Sequence, residues 1–172
     1  MPQNINYVVG DATRPGIKGS RIIAHICNNH GKWGSGFTVA VSSRWQAPER
    51  LYRQWYRAEI YEGVPFRLGE VQFIDVGYNF EKLEDRGIWI ANMISQNGLR
   101  SASNPKPVCY DSLLICLRTL SKKALDLQAE VIMPRIGIGR GGGKWEVIEP
   151  MNMEELVKKG VPVTVYDPKR WV

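Results

Sequence analysis

Histidine and cysteine are scarce in this chain: two histidines, His25 and His30, and three cysteines, Cys27, Cys109 and Cys116, among 172 residues. No two cysteines stand in CxxC spacing, and an odd, dispersed set suggests neither a disulfide framework nor a zinc knuckle. Reduced thiols are the expectation. Long apolar runs are also missing. No window approaches the roughly eighteen apolar residues of a membrane span, and MPQNINYVVGDAT has neither the basic leader nor the apolar run of a secretory signal. A cytoplasmic protein with no membrane partner follows from that reading. Neither GxxxxGKS nor GxxxxGKT occurs, and no glycine-rich loop has the full GxGxxG context with a following acidic residue. Nucleoside triphosphate hydrolysis and dinucleotide redox chemistry are therefore disfavoured. Internal repeats and low-complexity tracts are absent.

What is present is one ordinary domain, residues 1–172, with 44% hydrophobic residues, enough for a substantial core. The net charge of +6 favours anionic partners, although the same charge is an ordinary route to solubility. The basic residues are dispersed, without a nucleic-acid-binding arm.

The chain alternates between strand and helix signals. INYVVG reads as a first strand and RIIAHIC as a second. Phe37 to Tyr56 loosens into helix, with Pro48 suited to the first turn of a second helix. EVQFIDVG and GIWIANMIS read as strands joined by the polar hairpin NFEKLEDRG, and QNGLRSASNPKPVC as a long loop. YDSLLICLRTLSKKALDLQ has amphipathic helical spacing, AEVIMP is a short buried strand, KWEVIEPMNMEELVKKG holds a last helix, and PVTVYD closes the chain. The order implies an α/β domain whose sheet is at least partly parallel, with ligands beyond the carboxyl ends of its strands.

Two glycine-rich loops leave strands at that end. The first, HICNNHGKWGSGF, admits three chemistries. A metal site would need more ligands than His25, Cys27 and His30, and none cluster elsewhere. A Cys/His nucleophile needs a base within hydrogen-bond reach, which spacing alone does not establish. The third is an anion cradle. Gly31, Gly34 and Gly36 precede one helix, and Gly137, Gly139 and Gly141 to Gly143 precede another, so two loops can hold a diphosphate between backbone N–H groups. Asn28 and Asn29 suit sugar hydroxyls equally with turn formation.

GDAT after the first strand, IIAHICNNHGKWGSG after the second, MPRIGIGRGGGKW after a late strand and VTVYD at the end together resemble the macrodomain family, in the same order and over nearly the whole chain. Two branches are most similar: the fungal-type ADP-ribose 1″-phosphate phosphatases and the terminal ADP-ribose protein glycohydrolases. The resemblance implies a three-layer α/β/α fold around a central mixed, largely parallel sheet, binding ADP-ribose across the strand ends. It places Asp11 at the adenine amino group, Ala12 beside it and Tyr166 on the adenine face. Trp33, Gly34, Ser35, Gly36 and Phe37 would line the diphosphate and distal ribose, and Ile138, Gly139, Arg140 and Gly141 the second phosphate loop. Asn28 would face the distal ribose.

The departures bear on catalysis. Where the glycohydrolases carry a lysine and an aspartate, this chain has Gln96 and Gly141; where another hydrolytic branch has an aspartate after the first glycines, it has Phe37 and Thr38. Asn28, His25 and His30 remain as catalytic candidates, with a histidine as base or acid for removing phosphate from ADP-ribose 1″-phosphate. The other expectations are an ADP-ribosyl hydrolase acting on modified protein or nucleic acid, or a reader without turnover. No metal or cofactor is implied, and a monomer is expected.

Overall fold

The computed structural model describes residues 3–16, 19–78 and 83–171. The main strands are β1 (Asn6–Val9), β2 (Arg21–Asn28), β5 (Val71–Asp75), β6 (Ile88–Gln96), β7 (Glu130–Met133) and β8 (Val163–Asp167). They form one sheet in the order β1-β8-β7-β2-β6-β5, antiparallel only at the β5–β6 pair. The element order calls for a sheet at least partly parallel and the resemblance for a mixed, largely parallel one, and that sheet is the one found. A two-stranded ribbon, β3 (Ile60–Tyr61) with β4 (Val64–Pro65), is added beside it.

Helices cover both faces because β2 and β7 are apolar on both. Ile22, Ala24, Val131 and Met133 pack with Leu113, Leu117 and Leu120 of α3 (Tyr110–Leu127) and Ile148 of α4 (Trp145–Glu155). Ile23 and Ile132 point the other way, toward Val41 of α1 (Phe37–Arg44) and the adjoining Trp45. Period-two alternation thus feeds two cores at once. Each fully buried leucine of α3 contributes about 1.5–3 kcal/mol of burial.

The helical stretch after Phe37 breaks in two. Trp45 is extended (φ −137°), and α2 (Ala47–Ala58) restarts with Pro48 in its first turn. In the β5–β6 connection, residues 79–82 of the expected hairpin lie outside the described residues, and Leu83–Asp85 is a single 3-10 turn. No helix of the described residues is long and apolar enough to cross a membrane. The consequence for function is positional: β1, β2, β7 and β8 run parallel, so their carboxyl ends and the loops after them converge on one side.

Candidate ligand-binding cleft

A cleft of about 970 Å³ opens beyond those four strand ends. Asp11, Ala12, Asn28, Trp33, Gly34, Ser35, Gly36, Phe37, Ile138, Gly139, Arg140, Gly141 and Tyr166 all line it, and so does His25. The topology therefore gathers the four sequence motifs into one site. His30 is the exception. It is exposed and does not line the cleft, because the loop turns its ring outward toward Gly98. The expectation that His30 reaches the distal ribose is corrected accordingly. Trp145 also stays out of the cleft; its indole N–H donates to the Tyr7 hydroxyl at 2.9 Å.

The first loop is held by its own side chains. Asn28 Oδ1 accepts from the backbone N–H groups of His30 (2.9 Å) and Lys32 (3.2 Å), while Nδ2 donates to the Lys32 carbonyl at 2.9 Å. The amide therefore performs the turn role left open in the sequence and, at the same time, borders the cleft. Thr38 Oγ1 donates to the Ser35 carbonyl at 2.7 Å and accepts from Gly34 N–H at 3.3 Å. Gly36 has φ 67°, a left-handed conformation that glycine adopts without strain, and it opens α1 with no side-chain cap. The first turn of α1, whose Phe37 and Thr38 line the cleft, thus starts without a capping side chain, as an anion site requires.

The second loop folds on itself. Gly137 and Gly139 carbonyls accept from Gly143 (2.8 Å) and Gly142 (3.1 Å), and Arg100 Nη1 donates to the Gly139 carbonyl at 2.8 Å. The two loops approach closely: a Cβ at Gly36 would lie 3.8 Å from Arg140 Cγ. At the β1 end, Asp11 Oδ1 accepts from Thr13 N–H (2.9 Å) and Oγ1 (2.7 Å), which fixes the carboxylate, while Oδ2 stands 4.0 Å from the exposed Arg14 Nε. Tyr166 packs on Gly10, and partial burial raises the pKa of its hydroxyl.

His25 forms the floor. Only 1% of it is exposed, clasped by Trp33 (centroids 5.4 Å apart, 85° between planes) and Phe37 (5.7 Å, 59°). Its Nε2 stands 2.5 Å from Asn92 Oδ1, and burial lowers its pKa to about 4, against 6.5 ordinarily. Cys27 Sγ lies 3.9 Å from that nitrogen, but burial pushes the thiol well up and keeps it protonated. The pair is thus not a thiolate–imidazolium nucleophile. No three His, Cys, Asp or Glu side chains of the described residues could together hold a metal ion. Gln96, at the position of a family lysine, borders the cleft with its amide donating to the Gly98 carbonyl.

The charge of the cleft was not readable from single motifs. Among the described residues, Lys32, Arg100, Arg135, Arg140, Lys169 and Arg170 line it against one carboxylate, Asp11. Arg135 is tied to Asp167 by two contacts (2.7 and 3.0 Å). Lys169, Arg170 and Trp171 follow the last strand directly, and that position beyond a carboxyl end was the one signal that could have found them.

No family model matches the chain. A macrodomain protein from Streptomyces coelicolor is 44% identical over 95% of this chain and 99% of that one, with a TM-score of 0.79. Chromodomain-helicase-DNA-binding protein 1-like of Danio rerio is 27% identical over 168 residues, and the chain spans 16% of that relative's length. DarTG of Thermosipho africanus, solved in complex with ADP-ribose, shares the fold at 17% identity, with a TM-score of 0.72 over 98% of this chain and 42% of that one.

Proposed function

The chain belongs to the macrodomain family, and we propose that its cleft binds ADP-ribose or an ADP-ribose derivative. One observation carries the reading: two glycine loops face each other at the carboxyl ends of β2 and β7, within a cleft that six cations and one carboxylate of the described residues line. Fixed N–H groups and cations suit a diphosphate, the half-buried Tyr166 ring that lines the cleft suits adenine, and Asp11 suits an exocyclic amine. The complex of a distant fold relative with ADP-ribose supports the choice of ligand. Calorimetric titration with ADP-ribose tests it. Saturable binding that weakens about 5- to 150-fold in Tyr166→Ala is expected, from a stacking contribution of about 1–3 kcal/mol. No heat and no rise in melting temperature at millimolar ADP-ribose would sink the reading.

The enzymatic reading is hydrolysis of ADP-ribose 1″-phosphate. Water attacks phosphorus, the bond to the ribose oxygen breaks, that oxygen takes up a proton and phosphate leaves. The cationic cleft supports stabilisation of the departing charge. The placement of the histidines does not favour either as the base: His30 does not line the cleft, and His25 is buried with Nε2 beside Asn92 and only Nδ1 without a partner among the described residues. The attacking water is then held by loop backbone groups. The same facts favour a second reading, a binding module without turnover. Single-turnover assays on ADP-ribose 1″-phosphate, on acyl-linked ADP-ribosyl protein and on ADP-ribosylated nucleic acid separate the two. Release of phosphate from the first supports the phosphatase, release of ADP-ribose from either of the others supports an ADP-ribosyl hydrolase, and no product from any supports the reader.

A further inference from the structure

A chain of buried amides runs from helix α2 through the sheet to the floor of the cleft, and its directions can be assigned from its anchored end. The Leu51 carbonyl can only accept, so Gln72 must turn its Nε2 toward it, at 3.0 Å. Gln72 Oε1 then faces Asn92. Asn92 Nδ2 lies 3.0 Å from that oxygen and 3.3 Å from the Pro48 carbonyl, two acceptors that only the NH₂ end can satisfy. Asn92 Oδ1 is thereby aimed at His25, 2.5 Å from Nε2. Facing an oxygen with no hydrogen to give, Nε2 must carry the proton. Gln72, Asn92 and His25 are each at most 1% exposed, so water does not compete for these orientations.

The other ring nitrogen is therefore bare. His25 Nδ1 is buried and has no hydrogen-bond partner among the described residues. The nearby Cys27 thiol approaches Nε2 instead. Trp33 and Phe37, which also line the cleft, hold the plane of the ring. A buried acceptor without a donor, on a residue that lines a binding cleft, indicates that the donor arrives with the occupant.

We propose that Asn92 is a positioning residue that holds His25 as the Nε2–H tautomer, so that Nδ1 accepts a hydrogen bond from a hydroxyl of the bound ligand. The proposal rests on the reading of the cleft as an ADP-ribose site, whose ribose hydroxyls are donors of this kind. It replaces a catalytic base with a fixed acceptor. Helix α2 becomes the common anchor of the site, because Tyr52, next to Leu51, also holds Asn28 by its carbonyl at 2.5 Å.

Long-range proton–nitrogen spectra of the ¹⁵N-labelled protein test this, since only two histidines are present and His25→Phe leaves one set of signals for assignment. In the free protein at neutral pH, His25 is expected with a protonated Nε2 and a bare Nδ1. At saturating ADP-ribose, the Nδ1 resonance should move toward its hydrogen-bonded position while Nε2 stays in place. Asn92→Leu should give mixed tautomers and about tenfold weaker binding. Asn92→Leu combined with His25→Phe should bind no worse than His25→Phe alone. A protonated Nδ1 in the free protein overturns the proposal, as does calorimetric binding of ADP-ribose that leaves the Nδ1 resonance unmoved. Absence of both heat and shift rejects the ADP-ribose reading and the ligand hydroxyl with it, so the heat identifies which inference has failed. Should Asn92→Leu not fold, the wild-type spectra decide alone.

Discussion

The Tyr52 hydroxyl donates to the Asn28 carbonyl at 2.5 Å and stands 3.1 Å from the Asn28 side-chain oxygen. A helix residue thus holds the exact turn from which the first glycine loop departs. Tyr52 is fully buried, so removing the hydroxyl leaves the Asn28 carbonyl short of a partner that water cannot readily replace. Tyr52→Phe is expected to cost about 1–3 kcal/mol in chemical denaturation and to weaken ADP-ribose binding, because the loop loses its brace. Unchanged stability and affinity would show that the loop holds itself through Asn28 alone.

Two glycines of the second loop should behave oppositely. Gly142 has φ 69°, and a Cβ there would collide with the Pro105 carbonyl oxygen; Gly142→Ala should lose about 1–3 kcal/mol of stability. Gly139 lacks a left-handed φ, and a Cβ there meets no heavy atom within 4 Å. Gly139→Ala should therefore stay within about 0.5 kcal/mol of wild type. Gly139 nevertheless lines the cleft in which the proposed function puts a diphosphate, so on that proposal calorimetry should record weaker ADP-ribose binding. Full affinity in Gly139→Ala would move the phosphates away from this loop.

How much of this was legible follows from the range of each interaction. Strands such as RIIAHIC and the glycine loops announce themselves locally, through β-branched runs and residues free of Cβ constraints. Pro48 marked the restart of α2 for the same reason. Gln72 and Asn92 did not announce themselves: each sits in a strand whose neighbours are apolar, and their partners depend on register across β2, β5 and β6. The cations of the cleft are similarly dispersed over Lys32, Arg100, Arg140 and Arg170, which only the converging strand ends bring together. His25 and His30 looked equivalent in HICNNHGKWGSGF. Strand alternation buries the first, and the turn that begins at Asn28 turns the second outward.

Arg44 links α1 to two connections at once. Its Nη2 lies 2.5 Å from Asp85 Oδ1, and its Nη1 donates to the Thr13 carbonyl, behind the turn that orients Asp11. The two side chains are 6% and 11% exposed, so truncating one strands a charge in a poorly solvated place. Trp45 Nε1, at 3.1 Å, satisfies only the second carboxylate oxygen. Arg44→Met should cost about 3 kcal/mol or more, and Asp85→Leu added to it should recover much of the loss. A single-variant cost below about 1 kcal/mol would mean that the carboxylate finds water after all.

The sign of the His25 shift gives a pH test that needs no ligand. Its folded pKa is about 4, against 6.5 ordinarily, because burial disfavours the imidazolium. As pH falls below about 6.5 the unfolded chain takes up this proton while the folded chain does not, so protonation favours unfolding. The neutral ring therefore adds full stability above about pH 6.5, loses it progressively toward pH 4, and adds nothing further to the pH dependence below that. A single proton sets the slope at no more than about 1.4 kcal/mol per pH unit, and the whole loss at about 3 kcal/mol. Glu155, whose pKa is lowered by its hydrogen bond to Lys159, adds acid sensitivity of the same sign in any variant. The informative quantity is thus the difference between wild type and His25→Phe. Denaturation midpoints measured from pH 7 to pH 4 should fall less steeply in His25→Phe, and parallel curves would mean that the buried ring takes its proton as readily folded as unfolded.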